Sequence, residues 1–264
     1  MGLNPKQKEK YNINSPLYTV LAHLYDHIMR HVDYKRWAEF IIELLTSYGV
    51  LPYPHPYHRI LEAACGTGSL ALYLTRKGYS ITGFDRSPEM ISQAQSKFKR
   101  RNLKGHFEVG DFLSYNPKHN FNALLCLFDS INYLSRKELP QFFRRIHNWL
   151  VPPHIFIFDI STPYNSELYF NNQEYSGEFT GWSYTRQMKY YPDDHIQVNR
   201  FEVQDLKKGA IYIEEHHQYI YSPQIYRQEL QATGWQILEE TEDFRRTSPS
   251  PTALRIHFVC SSRQ

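Results

Sequence analysis

The chain is poor in the features that would mark it as secreted, membrane-bound or metal-stapled. It has only three cysteines, Cys65, Cys126 and Cys260. None is in CxxC spacing and all fall in predicted turns or strands, so they read as small buried side chains, with neither disulfides nor zinc expected. No apolar run approaches the ~18 residues that a membrane helix needs. The opening Met1-Gly2-Leu3-Asn4-Pro5-Lys6 has the pattern of neither a signal peptide nor a myristoylation site, because Lys6 stands where Ser or Thr is required. A cytoplasmic protein is the expectation. Charge is nearly balanced, 30 basic against 27 acidic residues for a net +3, too little to argue for nucleic acid. Aromatic residues are abundant instead, at 16% with 21 tyrosines. With 264 residues, 41% of them hydrophobic, one generous domain or a domain with an elaboration can be filled.

The most informative stretch is 59–90. Ile60 and Leu61 read as a short buried strand, Gly66 and Gly68 as a turn, and Leu70 to Lys77 as a helix closed by Gly78, before a second strand ending at Asp85. In such a βαβ unit the glycines let the backbone turn sharply and approach a ligand, while the helix N-terminus offers unpaired N–H groups. An acid at the second strand end, Asp85, can accept hydrogen bonds from two vicinal ribose hydroxyls. Gly66-Thr67-Gly68-Ser69-Leu70-Ala71 also matches the dinucleotide pattern G-x-G-x-x-A. Glu62 separates the two ligand classes. Its carboxylate lies where a pyrophosphate would be repelled and a cationic amino group attracted.

The segments E-A-A-C-G-T-G, G-F-D-x-S-P-E-M and V-G-D-F resemble those of the class I S-adenosylmethionine-dependent methyltransferases. That resemblance implies an α/β fold: a Rossmann-like seven-stranded sheet, mostly parallel, with a C-terminal antiparallel hairpin strand. It implies S-adenosyl-L-methionine as cofactor and S-adenosyl-L-homocysteine as product. Gly66, Gly68, Glu62 and Asp85 would then hold the cofactor with Asp111 on the adenine amino group, Phe112 supporting the ring, Arg86 and Met90 at the adenine edge, and the Leu127 carbonyl on the cofactor amino group. Arg86 departs from the small or apolar residue common there, and Pro152-Pro153-His154 stand where Pro-Gly-Gly is usual. A-H-L-Y-D with D-Y-K-R-W, and later E-E-H-H-Q-Y-I-Y-S, are similar to a bacterial subgroup of small methyltransferases. This likeness spans nearly the whole chain. It places Tyr25 over the methionine end of the cofactor and nominates His216 and Gln218 for the acceptor, with Tyr219 where relatives often have Arg.

Along the chain, Ser15-Pro16 predict a helix start with Leu17, Leu21, Leu24 and Ile28 at helical spacing, and Asp33 caps a second helix striped by Tyr34, Trp37, Ile41, Leu44 or Leu45, and Tyr48. His23, His27 and His31 share a face, but no ligand cluster accompanies them and no metal is expected. The Pro-rich link 51–56 ends this N-terminal cap. After Asp85, Ser87-Pro88 open a helix ending in Lys97, Lys99, Arg100, Arg101 and Lys104, read as a solvated, dipole-favoured basic end. The run Ala123 to Phe128 reads as a strand covered on both faces, followed by Asp129-Ser130-Ile131-Asn132-Tyr133 at its carboxyl end, where α/β sheets bind ligands. Ser135 to Glu138 form a capping-box pattern, and Ile155 to Ile160 read as the fifth strand. Strand-like runs at Gly181 to Tyr191, His195 to Val203 and Ala210 to Tyr221 predict an inserted antiparallel lid. A helix after Ser222-Pro223 and two strands, Gln236 to Glu240 and Ala253 to Cys260, close the chain. The domain organisation is thus a helical cap at 1–52, a cofactor-binding core at 53–162 and 222–264, and a lid at 163–221.

Methyl transfer is a direct in-line displacement that needs mainly a dry pocket and a well-placed acceptor. A general base is required only when the nucleophile arrives protonated, and His216 and Asp129 are the candidates. Tyr133, Trp182, His216 and Gln218 are candidates for substrate binding. The loop after the fourth strand has neither N/D-P-P-Y/F nor a Pro-Cys pair, so nucleic-acid bases are set aside as substrates. The expected acceptor is a nitrogen or oxygen atom of a small molecule. An NAD(P)-dependent dehydrogenase and a non-catalytic S-adenosylmethionine-binding regulator are the alternatives.

Overall fold

The structure is a computed structural model, describing residues 12–51 and 58–262. The segment Met1 to Lys6, nearly all of the Pro-rich link and the boundary expected at 52/53 lie outside the described residues. The chain enters with a short strand β1 (Asn12–Asn14), passes through helical turns at Leu21–His31, and forms helix α1 (Tyr34–Ser47), whose first turn is capped by Asp33 accepting from the Arg36 amide. An alternating run follows: β2 (Arg59–Ala63), α2 (Ser69–Arg76), β3 (Ser80–Asp85), α3 (Pro88–Arg100), β4 (His106–Val109), β5 (Phe121–Cys126), α4 (Leu139–Ile146) and β6 (Leu150–Ser161). Helix α5 (Pro163–Tyr169) then leads into β7 (Gln173–Phe179), β8 (Trp182–Tyr191), β9 (Ile196–Asp205) and β10 (Ile211–Tyr219), and the chain closes with α6 (Pro223–Ala232), β11 (Trp235–Glu242) and β12 (Arg255–Ser262).

Seven strands form the main sheet in the order β11-β12-β6-β5-β2-β3-β4, with β12 alone running against its neighbours. Alternate residues feed opposite faces. Leu61, Leu124, Phe156 and Phe158 pack under α4 and α6 with Phe142, Phe143 and Trp235, while Ile60, Ala123, Leu125 and Ile157 pack under the other helices with Ile41, Leu44, Leu74 and Phe98. β5 is buried along its whole length, which accounts for its unbroken apolar sequence. The strand order turns back at β2, flanked by β3 on one side and β5 on the other, so a crevice opens at their carboxyl ends.

A second sheet, in the order β1-β10-β9-β8-β7, stands over that crevice. It is antiparallel except where β1 joins β10 in parallel. Along β10, Glu214, His216 and Gln218 are buried while Glu215 and His217 are exposed.

Four expectations are corrected. No single helix runs from Ser15. Tyr18 takes a left-handed φ of 58°, and the amides of Tyr18, Val20 and Leu21 are capped by the Glu214 carboxylate from across the structure rather than by Ser15. Leu17 to Ile28 therefore form broken turns. The fifth core strand begins at Leu150 and runs through Pro152 and Pro153, because a register slip opposite Phe121 to Ala123 tolerates residues without an amide donor. The lid has an additional helix and strand, α5 and β7, that alternation did not reveal, although Thr162-Pro163 carries a cap signal and Thr162 Oγ1 does accept from the Asn165 amide. The lid strands within 163–221 do pair antiparallel, and β1 from the N-terminal segment extends their sheet in parallel. Lys97 is not part of a solvated basic end; it is buried.

Candidate active site

The glycine turn and the next strand end make the first part of the site. Gly66 and Gly68 both adopt positive φ, 54° and 69°, a region that glycine enters without the cost of a Cβ, and Gly68 caps the start of α2. A Cβ at Gly68 would lie 3.2 Å from that of Ala94. Asp85, buried at the end of β3, accepts from the Gly66 amide (2.9 Å) and the Ser87 amide (2.9 Å). These bonds fix its plane and leave further lone pairs for a diol. Burial raises its pKa, against the lowering effect of the same amides. Tyr25, Gly66, Asp85, Arg86, Met90, Asp111 and Phe112 line one cavity, so the structure brings together seven of the residues expected around the cofactor. Asp111 accepts from the Leu113 amide, and Arg86 approaches it at 3.9 Å. Leu127 lies apart from this cavity, its carbonyl accepting from Ser130 Oγ at 2.7 Å.

Glu62 opens onto a smaller space beside the glycine turn with Tyr25, Gly66 and Ser130. It is buried, and its Oε2 has no hydrogen-bond partner among the described residues. Burial, reinforced by nearby Asp85 and opposed by Lys97, pushes its pKa up to about 8. An orphaned buried carboxyl is costly, and an ammonium group placed in this space would satisfy it. The diol acceptor, the adenine-side cavity and this orphaned acid fit the three polar parts of S-adenosylmethionine.

A second cavity adjoins the first. Tyr18, Tyr25, Ser130 and Tyr133 border both, and the far wall is built from the lid by Arg186, Asn199, His216 and Gln218. The tyrosines are joined: Tyr18 Oη lies 2.7 Å from Tyr133 Oη, which lies 3.0 Å from His216 Nδ1. Behind the imidazole, His216 Nε2 faces Glu214 Oε2 at 3.6 Å and has no hydrogen-bond partner among the described residues. Burial raises the pKa of Tyr18, Tyr25 and Tyr133, so these hydroxyls stay protonated and can pass a proton without holding charge. Asp129 follows β5 with Phe128 and Asp129 both in left-handed conformations, φ 58° and 51°. Such strain persists only where surroundings enforce it. Here the Asp129 amide donates to Asp159, while the Asp129 carboxylate accepts from Arg255 (2.7 Å) and Gln218 (2.7 Å). Arg255 also pairs with Asp159. Both oxygens of Asp129 are thus engaged, and His216 is the freer of the two base candidates. Trp182 lines neither cavity; it stacks on His23 and belongs to the packing between lid and N-terminal turns.

Several site residues were not found from sequence. Tyr18 sits in no motif. Glu214 was legible only as part of the E-E-H-H-Q-Y-I-Y-S segment, without a role. Lys97 lay hidden in a basic run, yet its Nζ donates to Thr67 Oγ1 (2.8 Å) and Ser69 Oγ (2.7 Å) on the glycine turn and pairs with Asp26 at 2.9 Å. Asp26 also accepts from Thr67 Oγ1, so the N-terminal turns are tied to the glycine turn directly. The three histidines read as one face have separate surroundings, His23 on Trp182 and His27 on Phe179. All three cysteines are buried free thiols. Among the described residues no helix is long and apolar enough to cross a membrane.

Comparison with known proteins agrees with this geometry. Residues 60–153 match the methyltransferase-domain family. A protein of Geobacillus sp. strain WCH70 that bears the name methyltransferase is 30% identical over 248 residues, covering 92% of this chain and 98% of that one. The solved structure of an S-adenosylmethionine-dependent methyltransferase from Clostridium acetobutylicum superposes with a TM-score of 0.78 at 26% identity, over 93% of this chain and 98% of that one. A dTDP-3-amino-3,6-dideoxy-alpha-D-glucopyranose N,N-dimethyltransferase from Streptomyces fradiae is 26% identical over 140 residues, 52% of this chain and 51% of its own. The sheet order, the glycine turn with its acids, and relatives that match over more than nine-tenths of the chain agree: the chain belongs to the class I S-adenosylmethionine-dependent methyltransferases.

Proposed function

We propose that this protein is a cytoplasmic enzyme that transfers the methyl group of S-adenosylmethionine to a nitrogen or oxygen atom of a small-molecule acceptor. The observation that carries this reading is the meeting of the two cavities at Tyr18 and Tyr133, with the candidate cofactor residues on one side and the lid on the other. When bound, the cofactor's sulfonium supplies an electrophilic methyl group. The chain's own residues do the rest. The lid and N-terminal turns exclude water and hold the acceptor in line, which can supply ~7–11 kcal/mol of the barrier. An acceptor that arrives protonated can pass its proton through the Tyr133 hydroxyl to His216 Nδ1, and Glu214 stands where it stabilises the resulting imidazolium. The sugar N,N-dimethyltransferase among the relatives favours nitrogen as the first acceptor atom to test.

S-adenosylhomocysteine is expected to raise the melting temperature, with NAD leaving it unchanged, and labelled methyl groups should enter a metabolite pool. The opposite thermal result would sink this reading. Cofactor binding without any methyl release would point to the regulatory alternative. Asp85 carries a second expected outcome. Hydrogen bonds to an ionised group are worth ~1.5–3 kcal/mol each, so Asp85→Ala should weaken S-adenosylhomocysteine at least ~10–100-fold by calorimetry while the chain stays folded. An unchanged affinity in a folded variant would remove Asp85 from the ribose site.

A further inference from the structure

Arg186 is the one cationic side chain of the acceptor cavity whose charge is not met directly by a carboxylate among the described residues. The other, Arg255, is bonded to both Asp129 and Asp159. Arg186 projects from β8 into the cavity, and its guanidinium lies between the rings of Phe170 and Phe201, 5.6 Å and 5.4 Å from their centroids. Its side-on fork is used: Nε and Nη2 both donate to Asn199 Oδ1, at 3.2 Å and 2.6 Å. Among the described residues the end-on fork of Nη1 and Nη2 has no acceptor of its own apart from that shared Nη2 bond. Aromatic walls and Asn199 thus hold the guanidinium plane at a fixed angle, and the group is sufficiently desolvated to lower its pKa. A desolvated guanidinium with an open fork is costly to keep, whereas a planar carboxylate fits that fork bidentately.

We propose that the methyl acceptor carries a carboxylate, seated on the end-on fork of Arg186. This rests on the methyltransferase reading above and narrows it to amino acids, hydroxy acids or other carboxylic acids. Charge in the cavity selects a monoanion. Asp129 and Arg255 line the same space as a closed ion pair and Glu214 lies behind His216, so a phosphate dianion would bring two charges to a single open fork with a further acid nearby. Asn199 also spans the floor between the two functional ends, because it accepts from Arg186 and pairs across the sheet with His216. The carboxylate end and the end near Tyr133 and His216 are therefore separate sites on one rigid surface.

The test uses the full chain saturated with S-adenosylhomocysteine and titrated with acetate and benzoate, with acetamide and benzamide as neutral isosteres and inorganic phosphate as the dianion. Both carboxylates should bind and raise the melting temperature, and the amides and phosphate should not. In Arg186→Gln the carboxylate affinity should fall ~10–100-fold, while S-adenosylhomocysteine affinity stays within a few-fold. Equal binding of amides, preferred binding of phosphate, no carboxylate binding to the wild-type chain, or undiminished binding in the variant would each overturn the proposal. If Arg186→Gln does not fold, the contrast between carboxylate and amide on the wild-type chain still decides. Failure of S-adenosylhomocysteine itself to bind would instead count against the methyltransferase reading.

Discussion

Glu62→Gln is expected to weaken S-adenosylhomocysteine binding by ~10–100-fold and, at the same time, to raise the melting temperature of the ligand-free protein above neutral pH. The two effects have one cause. The Glu62 carboxyl is buried, its Oε2 is unpartnered among the described residues, and burial together with Asp85 lifts its pKa from 4.5 to about 8. The folded protein therefore holds a proton that the unfolded chain releases at lower pH. Stability is complete below about pH 4.5, declines as pH rises through that window, and bears the full penalty above about pH 8. The penalty is on the order of a few kcal/mol, since each tenfold change in proton affinity is worth ~1.4 kcal/mol. Glutamine removes it, so the variant's advantage should be absent at acid pH and largest at alkaline pH. Ligand binding has the opposite need. An ammonium group is paired only by the ionised carboxyl, so binding below pH 8 must expel the Glu62 proton. Wild-type affinity should tighten as pH rises toward 8, by up to ~10-fold for each step of one in pH, and the calorimetric heat should vary with the ionisation enthalpy of the buffer. Glu62→Gln should lose both dependences. A variant with wild-type affinity and a wild-type pH profile would show that Glu62 does not face the cofactor's amino group.

The sequence made some parts of this molecule legible and hid others for physical reasons. The core was legible because its signals are local. Glycines with positive φ, a Ser-Pro helix start at Ser87 and an unbroken apolar strand at Ala123 to Cys126 each follow from backbone geometry within a few residues. The candidate acceptor site depends on long-range pairing. Tyr18 approaches Tyr133 only because Glu214, nearly two hundred residues away, caps the turns around Tyr18 through three amides. Arg186 reads as an ordinary polar residue on an alternating strand; its surroundings come from Phe170 on one side and Asn199 on the next strand. Lys97 shows the same limit from the opposite direction. A helix ending in lysines and arginines looks solvated, and only the packing of the N-terminal turns onto the glycine turn puts Asp26 beside this one lysine.

That long-range arrangement also makes His216 the residue whose loss should cost most in turnover. His216→Ala is expected to lower kcat by ~10²–10⁴-fold for an acceptor that must lose a proton, with S-adenosylhomocysteine affinity within a few-fold of wild type. The argument starts from the connected hydroxyls. Tyr18 and Tyr133 stand at the junction of the cavities, and their raised pKa values prevent them from retaining a negative charge. A proton leaving the acceptor there needs a terminal site, which His216 Nδ1 provides at 3.0 Å, with the Glu214 carboxylate 3.6 Å from the other ring nitrogen. Removing the imidazole breaks the end of the path without touching Asp85, Glu62 or the glycine turn. Tyr133→Phe should give a loss of similar size, because it cuts the same path one atom earlier. A residue that only positions the acceptor behaves differently: KM rises and kcat is kept. The ring of His216 also packs 4.5 Å from Tyr18 and 5.5 Å from Phe201, so some stability will be lost on truncation. The melting shift with S-adenosylhomocysteine separates that loss from chemistry, since a folded variant still responds to the ligand. If folded His216→Ala turned over with wild-type kcat, or if Tyr133→Phe were silent while His216→Ala was not, the hydroxyl-to-imidazole path would be rejected.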